Sequence, residues 1–290
     1  MTTWIRRALI VVVGVVGLSY GGMVTWLLAN EPRMVFQPAA YGGRGQVPVA
    51  DSLGLAVEPL TLASTDGARL AAWVMRSADS TGPWLLLCHG NAGNITLLKR
   101  QRFYRDATRQ GFNLLAFDYR SFGASTDQPP TEQGLYDDAT AAYHYLRDSL
   151  GIAPGRIVLY GHSLGSGVAT EMAGRFPAAG LIIEGAFKSV PSVGQERYRF
   201  MPVEYLARNR FDNATKIRSL RMPLLVMHAR LDGTIPFPHG EALYRLAPEP
   251  KSFVPLGGDH DSAWELDHAT YMTAFTGFVR RYTGPARGNQ

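Results

Sequence analysis

A serine lies between two glycines in the pentapeptide GHSLG, at residues 161–165. The apolar run RIVLY precedes it and the small-residue segment SGVATEMAGRF follows, so the pentapeptide joins a predicted strand to a predicted helix. A turn this sharp projects its central side chain, and glycines are needed on both sides because a Cβ there would collide with the strand or the helix. This context favours Ser163 as a nucleophile over a tight turn without catalytic function.

A base must accompany such a serine, because a hydroxyl is a weak nucleophile at neutral pH. In strand–turn–helix sites of this kind the acid follows the serine and the histidine comes last. His260 lies in GGDHDSAW, a glycine-containing exit from the apolar run KSFVPL. The other late histidines, His239 and His268, fall in predicted helices. We therefore predict that His260 is the base.

The orienting acid is expected after the strand that precedes the strand of the histidine. Asp232 lies there, in HARLDGTIP, and its carboxylate would fix the imidazole tautomer and stabilise the imidazolium. Glu184, at the end of another predicted strand, is an alternative. Asp259 and Asp261 flank His260, but a neighbour in sequence does not easily reach the far ring nitrogen. Asp232 is the predicted acid.

Acyl transfer passes through an oxyanion that needs two preorganised N–H donors. Leu164, the residue after the serine, would supply one main-chain N–H. The segment HGNAGN at 89–94 follows the apolar run WLLL, where Gly90 would let the backbone approach a substrate and Asn91 would donate the second main-chain N–H. A phosphate-binding loop is the alternative, but the Lys-Ser/Thr ending of that motif is missing.

Short apolar segments alternate with helical patterns from about residue 57 onward. Asp66-Gly67 joins two strand-like runs and predicts a hairpin. Further strands are predicted at 84–89, 113–119, 156–162, 180–185, 223–229 and 251–256, and helices at 95–110, 132–150, 164–176, 239–246 and 267–281. The alternation predicts an α/β fold with a mostly parallel sheet, helices on both faces and ligands at the C-terminal strand ends.

Residues 188–216 interrupt this alternation without a clear strand. Segments of this length in a compact domain are usually functional, so we predict a lid over the strand ends. A packed surface loop with one helix is the alternative. Aromatic side chains recur in the segment, and three of them are predicted to contact the substrate: Phe200, Tyr205 and Phe211.

An uncharged apolar run, ALIVVVGVVGLSYGGMVTWLLA, occupies residues 8–29. As a helix it would span about 33 Å, enough for a hydrocarbon core of about 30 Å. We predict an uncleaved single-pass membrane anchor over residues 1–30, a linker over 31–56 and a catalytic domain over 57–283. A cleaved signal peptide is the alternative.

The charges beside this run predict its orientation. Arg6 and Arg7 precede it and favour a cytoplasmic N-terminus, which would place the catalytic domain on the non-cytoplasmic side. Arg33, beyond the run, works against that orientation.

Other classes of partner and cofactor are disfavoured. The net charge is +5, but the basic residues of KRQRFYRDATR, at 99–109, spread over more than one side of a helix. A solvated helix surface is therefore expected rather than a nucleic-acid interface, and contact with anionic lipid headgroups is the alternative. Cys88 is the only cysteine and the histidines lack the His-Glu-x-x-His spacing, so no intrachain disulfide, metal or other cofactor is predicted.

Taken together, these segments resemble the α/β-hydrolase superfamily, and within it the membrane-anchored ABHD-type serine hydrolases related to the bud-emergence family. The matching segments are HGNAGN (89–94), FDYRSFGAS (117–125), PTEQGLYDDATAAYHYL (130–146), GHSLGSG (161–167), DGTIP (232–236) and GGDHDSAW (257–264). The resemblance implies an eight-stranded hydrolase core with Ser163, Asp232 and His260 as the catalytic triad.

The chain departs from the family pattern in a few places. Ser121 stands where relatives commonly have the first glycine of Tyr-Arg-Gly-Phe-Gly, and Asp259 directly precedes the histidine. Some relatives are depalmitoylases tethered through N-terminal cysteines, which this chain lacks. The similarity therefore predicts the chemistry more firmly than the substrate.

The sequence predicts a serine hydrolase that cleaves carboxylic esters or thioesters, of small molecules, acyl lipids or acylated proteins, through an acyl-enzyme. Amide or peptide cleavage, or acyl transfer to an alcohol, would use the same triad and is an alternative. A membrane-anchored binding module without catalysis is a further alternative.

Overall fold

The predicted alternation of strands and helices is present in the structure, a computed structural model that describes residues 3–40, 53–78 and 81–284. Its strands are β1 (Glu58–Ala63), β2 (Arg69–Met75), β3 (Trp84–Cys88), β4 (Asn113–Phe117), β5 (Ile157–His162), β6 (Gly180–Glu184), β7 (Leu224–Ala229) and β8 (Lys251–Leu256). Its α-helices are α1 (Thr3–Val35), α2 (Leu98–Arg109), α3 (Glu132–His144), α4 (Leu164–Arg175), α5 (Val190–Arg197), α6 (Val203–Leu206), α7 (Asn213–Lys216), α8 (Pro238–Leu246), α9 (Ala263–Leu266) and α10 (His268–Thr283). The helix predicted at 132–150 becomes π-helical at Tyr145–Ser149.

Within the described residues, the eight strands form one sheet in the order β1-β2-β4-β3-β5-β6-β7-β8. β2 pairs antiparallel with both β1 and β4, and the turn between β1 and β2 contains Asp66 and Gly67. The pairs from β4 through to β8 are all parallel. The predicted hairpin and the mostly parallel sheet are confirmed.

The central strands are buried along nearly their whole length because helices cover both faces of the sheet. Alternate residues of each strand enter opposite cores. Leu86 and Leu159 pack in the core that includes α3 and α4, whereas Leu85 and Val158 pack in the core that includes α2 and α10. This arrangement brings the carboxyl ends of β3, β5, β6, β7 and β8 to one edge, where ligands bind in such sheets.

The N-terminal helix α1 is long and apolar enough to cross a membrane. Its side chains from Thr3 to Met23 are exposed, whereas Leu27 and Glu31 are buried against the domain. The predicted linker is therefore corrected at residues 31–35, which continue α1 because this end of the helix packs on the lid and the domain. Residues 41–52 of that linker lie outside the described part of the chain.

The lid comprises residues 188–216, all of which the structure describes. It contains three short helices, α5 to α7, whereas the alternative interpretation as a packed surface loop had one helix. α5 begins with a reciprocal capping box between Ser189 and Ser192. The Asp212 side chain accepts a hydrogen bond from the Thr215 N–H and so caps α7. These caps explain why the segment folds as short helical turns.

Candidate active site

Ser163 lies in the turn between β5 and α4, with a strained backbone at φ 53° and ψ −120°. A Cβ at Gly161 would lie 2.2 Å from the Gly165 carbonyl oxygen, and one at Gly165 would lie 2.0 Å from the Cys88 carbonyl oxygen. The Ser163 N–H donates to the Glu184 carbonyl at 2.9 Å, which ties the turn to β6. Glycine is therefore required at both positions for the serine to take this conformation.

The structure brings three distant side chains together at this edge of the sheet. The His260 Nε2 lies 2.9 Å from the Ser163 Oγ, and the His260 Nδ1 lies 2.6 Å from the Asp232 Oδ2. Asp232 follows β7 and His260 follows β8, so neighbouring parallel strands deliver both residues to the end of β5. The imidazole thus bridges the hydroxyl and the carboxylate.

The Asp232 carboxylate is held in place by its own turn. Its Oδ1 accepts hydrogen bonds from the main-chain N–H groups of Thr234 and Ile235, at 2.9 and 2.7 Å. Burial opposes ionisation of Asp232, but hydrogen bonds from His228 and His260 outweigh it and hold the pKa of the carboxyl below its ordinary value. An ionised Asp232 favours the imidazole tautomer that carries its proton on Nδ1.

Glu184, the alternative acid, has different partners. Its Oε2 accepts hydrogen bonds from the hydroxyls of Tyr160 and Tyr271, which lie beside it in the buried interior. Glu184 therefore binds two tyrosines, and Asp232 is the carboxylate that contacts the His260 ring.

Asp259 is also engaged elsewhere. Its Oδ1 accepts hydrogen bonds from the Asp261 N–H, the Ser262 N–H and the Ser262 hydroxyl. The Ser262 hydroxyl and N–H and the Asp261 N–H lower the pKa of Asp259. The residue shapes the turn between β8 and α9.

The loop HGNAGN passes directly beside the serine. A Cβ at Gly90 would lie 2.9 Å from the His162 Nδ1 and 3.3 Å from the Ser163 Cβ, so a larger residue would displace the loop. The Asn91 side-chain Oδ1 accepts a hydrogen bond of 2.8 Å from the Gln37 N–H, just beyond α1. The Asn91 side chain is thus occupied by the backbone after α1, and its main-chain N–H belongs to the loop beside the serine.

Arg100, on α2, holds this loop from the other side. Its guanidinium donates hydrogen bonds to the carbonyl oxygens of Asn94 at 2.6 Å, Ala92 at 2.8 Å and Gly90 at 3.4 Å. The expectation that the basic residues of 99–109 form only a solvated helix surface is therefore wrong for Arg100. Its role depends on a tertiary contact that the helical pattern does not reveal.

Two further histidines, buried His89 and partly buried His162, lie beside the loop and the turn. The His89 Nδ1 lies 2.7 Å from the Gly90 carbonyl oxygen and its Nε2 lies 3.5 Å from the Asp118 Oδ1. Burial lowers the pKa of His89. Burial, together with the neighbouring His260, lowers the pKa of His162 to about 3. His162 is therefore neutral near pH 7.

A cavity of about 740 Å³ opens over Ser163 and His260. This volume lies within the range of small-molecule sites. Apolar side chains from α1 and from the lid form much of its wall: Leu27, Met34, Val35, Val190, Val193 and Val203. The sequence analysis missed the contribution of α1, because contacts between residues so far apart in the chain leave no local pattern.

The predicted substrate contacts of the lid require correction. Phe211 is fully buried, packs edge-on against Phe36 and Tyr136, and fixes the lid to the core. Phe200 and Tyr205 are 90% and 88% exposed on the outside of the lid. None of the three is among the described residues that line the cavity. Tyr198, Val203 and Ala207 are lid residues that do line it.

Cys88 is buried and burial raises the pKa of its thiol to about 12, so it is unreactive at neutral pH. Among the described residues, no group of histidine, cysteine, aspartate and glutamate side chains has an arrangement that fits a metal ion.

Sequence comparison places these residues in a known context. Residues 85–286 match the model of the Alpha/beta hydrolase family. An uncharacterized protein of Mycobacterium tuberculosis is 32% identical over 270 residues, 92% of this chain and 94% of that protein. The human alpha/beta hydrolase domain-containing protein 17B is 31% identical over 229 residues, 77% of this chain and 75% of that protein. The lysophosphatidylserine lipase ABHD12 of Danio rerio is 32% identical over 203 residues, 64% of this chain and 52% of the lipase.

Solved structures show the same architecture. The esterase Pf2001 of Pyrococcus furiosus superposes with a TM-score of 0.70 at 17% identity, over 83% of this chain and 98% of the esterase. An esterase domain from a Rhodothermus marinus protein superposes with a TM-score of 0.61 at 25% identity, over 79% of this chain and the whole of that domain. The predicted eight-stranded hydrolase fold is thereby confirmed.

Proposed function

Since this chain belongs to the α/β-hydrolase family, we propose that it is a serine hydrolase that cleaves carboxylic esters or thioesters through an acyl-enzyme. The coarser assignment, a hydrolase, follows from the family and from its esterase and lipase relatives. The observation that best supports the finer one is the pair of hydrogen-bond distances from the His260 ring, 2.9 Å to the Ser163 Oγ and 2.6 Å to the Asp232 Oδ2.

In the first half of the reaction, the Ser163 Oγ attacks the carbonyl carbon while the His260 Nε2 takes the hydroxyl proton. Asp232 accepts the Nδ1 proton in a hydrogen bond and stabilises the imidazolium without taking that proton. The tetrahedral intermediate then collapses, and Nε2 returns its proton to the departing alcohol or thiol. The acyl group remains on Ser163 as an ester.

In the second half, water replaces the departed group. Nε2 takes a proton from the water as its oxygen attacks the acyl carbon, and then protonates the Ser163 Oγ as the carboxylic acid leaves. One water is consumed and the enzyme returns to its starting state. The low pKa of Asp232 keeps its carboxylate ionised throughout.

The oxyanion of each intermediate is assigned to the main-chain N–H groups of Asn91 and Leu164. Leu164 begins α4, so its N–H points away from the helix and is free of intrahelical bonding. Arg100 binds three carbonyl oxygens of the Asn91 loop and so fixes the loop backbone. This preorganisation is what the oxyanion requires.

The membrane-anchor role is assigned to α1, and the lid is assigned to the bilayer surface beside it. The Tyr20 hydroxyl donates a hydrogen bond of 3.1 Å to the Phe200 carbonyl, although Tyr20 lies within the apolar run 8–29. Exposed aromatic side chains beside such a helix suit a membrane interface. Phe200 and Tyr205 would then contact lipid, and the substrate would be an acyl ester or thioester reached from the membrane.

The orientation proposed for α1 places its N-terminus in the cytoplasm and the catalytic domain on the other side. The two positive charges before the apolar run, on Arg6 and Arg7, support this orientation, whereas the single positive charge of Arg33 after the run opposes it. Protease added to sealed vesicles of known orientation tests it, because only an outward-facing catalytic domain is degraded.

Reaction with a fluorophosphonate probe tests the proposed chemistry. The probe is expected to modify Ser163, and mass spectrometry of the peptide containing GHSLG should locate the adduct. Ser163→Ala is expected to abolish labelling. Unlabelled wild-type protein with a normal thermal unfolding transition would contradict the proposal.

A further inference from the structure

Glu184, the last residue of β6, lies directly beside the turn that carries Ser163. Its main-chain carbonyl accepts the Ser163 N–H at 2.9 Å, and its Cα pairs with that of His162 in the sheet. Paired residues of neighbouring strands carry their side chains on the same face, so the Glu184 side chain shares a face with His162 and Tyr160. The centroids of the His162 and His260 rings are 5.2 Å apart. The Glu184 carboxylate therefore belongs to the cavity wall next to the reacting groups.

Five aromatic side chains line the cavity on this side, and we call them the aromatic wall: Phe103, Tyr104, Tyr160, Trp264 and Tyr271. The Phe103 ring stacks on Tyr160 with centroids 5.4 Å apart. The same ring meets Trp264 and Tyr271 edge-on, at 6.3 and 6.2 Å. The rings thus contact one another, and a group bound against them is shielded from water.

The two oxygens of the Glu184 carboxylate differ. Oε2 accepts hydrogen bonds from the hydroxyls of Tyr160 and Tyr271. Burial raises the pKa of both hydroxyls well above its ordinary value, so both keep the protons that they donate. Oε1 accepts no hydrogen bond from the part of the chain that the structure describes, and it is not enclosed as the Trp264 Nε1 is. The carboxylate is held by one oxygen and presents the other to the cavity.

An accessible acceptor in an aromatic wall discriminates between ligands. A ligand with a hydrogen-bond donor at this place pairs with Oε1, whereas an apolar group covers Oε1 and leaves it unpaired. Sites that leave a polar group unpaired reject the ligand that lacks the partner. Glu184 is therefore placed to select substrates that carry a donor.

The charges beside the aromatic wall indicate which donor fits. Lys99 and Arg100 line the same cavity from α2, and both lower the pKa of His162 through their positive charge. An ammonium group bound near His162 would meet the same two cations. A neutral hydroxyl meets no such repulsion and pairs equally well with a carboxylate oxygen.

We propose that the Glu184 Oε1 accepts a hydrogen bond from a hydroxyl group of the substrate, in a subsite built by Glu184 and the aromatic wall. This inference rests on the proposed ester hydrolysis. The hydroxyl group is bound and not transformed, and the subsite selects esters that carry a hydroxyl within a few bonds of the reacting carbonyl. Glu184 is thus a specificity-determining residue.

Two pairs of esters test the subsite with the full-length protein in detergent micelles. In the first pair, 2-hydroxyethyl and 2-methoxyethyl octanoate, the donor is on the alcohol. In the second, ethyl 3-hydroxyoctanoate and ethyl 3-methoxyoctanoate, it is on the acyl chain. The wild type is expected to show a kcat/KM about tenfold higher for the hydroxyl compound in one of the pairs, which then identifies the part of the ester that Glu184 binds. Ratios near one in both pairs would overturn the proposal.

Glu184→Gln tests the acceptor itself. The amide oxygen can still accept from both tyrosine hydroxyls, whereas an N–H₂ group replaces Oε1 and turns the acceptor into a donor. The hydroxyl-over-methoxy preference is expected to fall about tenfold. An unchanged preference in this variant would contradict the inference.

Glu31→Gln is the matched control, because Glu31 is another acidic residue of the cavity wall, on α1. Its Oε1 accepts the Asn209 N–H at 2.9 Å, a bond that an amide oxygen can keep, and its Oε2 is enclosed. The variant removes the same charge without changing an accessible acceptor, so the hydroxyl preference should stay at the wild-type value. Equal falls in Glu31→Gln and Glu184→Gln would assign the preference to net charge and overturn the subsite.

Fluorophosphonate labelling of the wild type separates this inference from the proposed function. Labelled, ester-cleaving protein that lacks the hydroxyl preference overturns the subsite alone. Wild-type protein that neither labels nor cleaves any of the esters overturns the proposed function, and the subsite with it. Should Glu184→Gln fail to fold, the wild-type ratios still decide, since ratios near one in both pairs contradict the subsite and a tenfold ratio supports it.

Discussion

The Arg100 guanidinium donates a hydrogen bond of 2.6 Å to the carbonyl oxygen of Asn94, the last residue of the loop that carries Asn91. The same guanidinium also binds the carbonyls of Ala92 and Gly90. A helix side chain therefore fixes the backbone of the proposed oxyanion loop. Arg100 acts on the reaction through this loop, as a positioning residue.

Arg100→Met is expected to lower kcat for ester hydrolysis about ten- to a hundredfold, because a loop displaced by about 1 Å aims its N–H donor poorly. KM should change much less, since the loop binds the transition state. Steady-state kinetics with a p-nitrophenyl ester measures both. Arg102→Met is the matched control, because Arg102 lies on the exposed side of α2 and pairs with Glu265. Equal effects of the two variants would contradict the positioning role.

Asp232→Asn is expected to lower kcat about a thousandfold or more, because the amide favours the wrong tautomer of His260 and cannot stabilise the imidazolium. Asp259→Asn, at the position directly before His260, should stay within about twofold of wild type, since the Asp259 carboxylate binds Ser262. If Asp259→Asn were the more damaging change, the assignment of the acid would be wrong.

The site residues that the sequence predicts differ from those it misses in whether the neighbouring residues in the chain indicate their role. Ser163, Asp232 and His260 each occupy a turn directly after an apolar strand, and local sequence identifies such turns. Glu31 and Arg100 act through tertiary contacts with the lid and the loop. Nothing in their neighbouring residues indicates those partners.

Phe211 is a lid residue whose position the local sequence likewise does not predict. It resembled Phe200 and Tyr205 in sequence, yet its backbone takes φ 42° and its ring lies against Gly167 of α4, where a Cβ would be 2.7 Å from the ring. The absence of a side chain at Gly167 makes the space for it. The order of the strands is a similar case, because the position of β4 between β2 and β3 depends on a crossover that no strand encodes alone.

The pH dependence of the free energy of unfolding should reveal the lowered pKa of His162. Burial lowers its pKa to about 3 in the folded protein, whereas an unfolded histidine has a pKa of about 6.5. Below about pH 6.5 the unfolded chain therefore binds a proton that the folded protein does not, and stability falls as the pH decreases toward 3. Between pH 7.5 and 5 this loss is about 2 kcal/mol.

Urea unfolding of His162→Gln at the two pH values measures that loss. The decrease in the free energy of unfolding should be smaller than in the wild type by about 2 kcal/mol. His144→Gln, which changes an exposed histidine, should retain the wild-type decrease. An identical decrease in all three proteins would show that His162 does not titrate as described.

The lid aromatics should matter only when the substrate is in a membrane. The double change Phe200→Ser with Tyr205→Ser removes the two exposed aromatic rings of the lid. Hydrolysis of long-chain esters in vesicles is expected to fall several-fold, while hydrolysis of p-nitrophenyl acetate in solution should remain unchanged, because neither ring lies among the described residues of the cavity wall. A parallel fall on both substrates would contradict the lipid contact.

An acyl group on Ser163 is the most direct consequence of the proposed chemistry. Protein mixed with p-nitrophenyl octanoate, quenched in acid before the steady state and digested, should yield the GHSLG peptide carrying one octanoyl group on Ser163. The amount of that peptide should match the burst of p-nitrophenol. Turnover of the ester with an unmodified Ser163, or with the acyl group on another residue, would contradict the account.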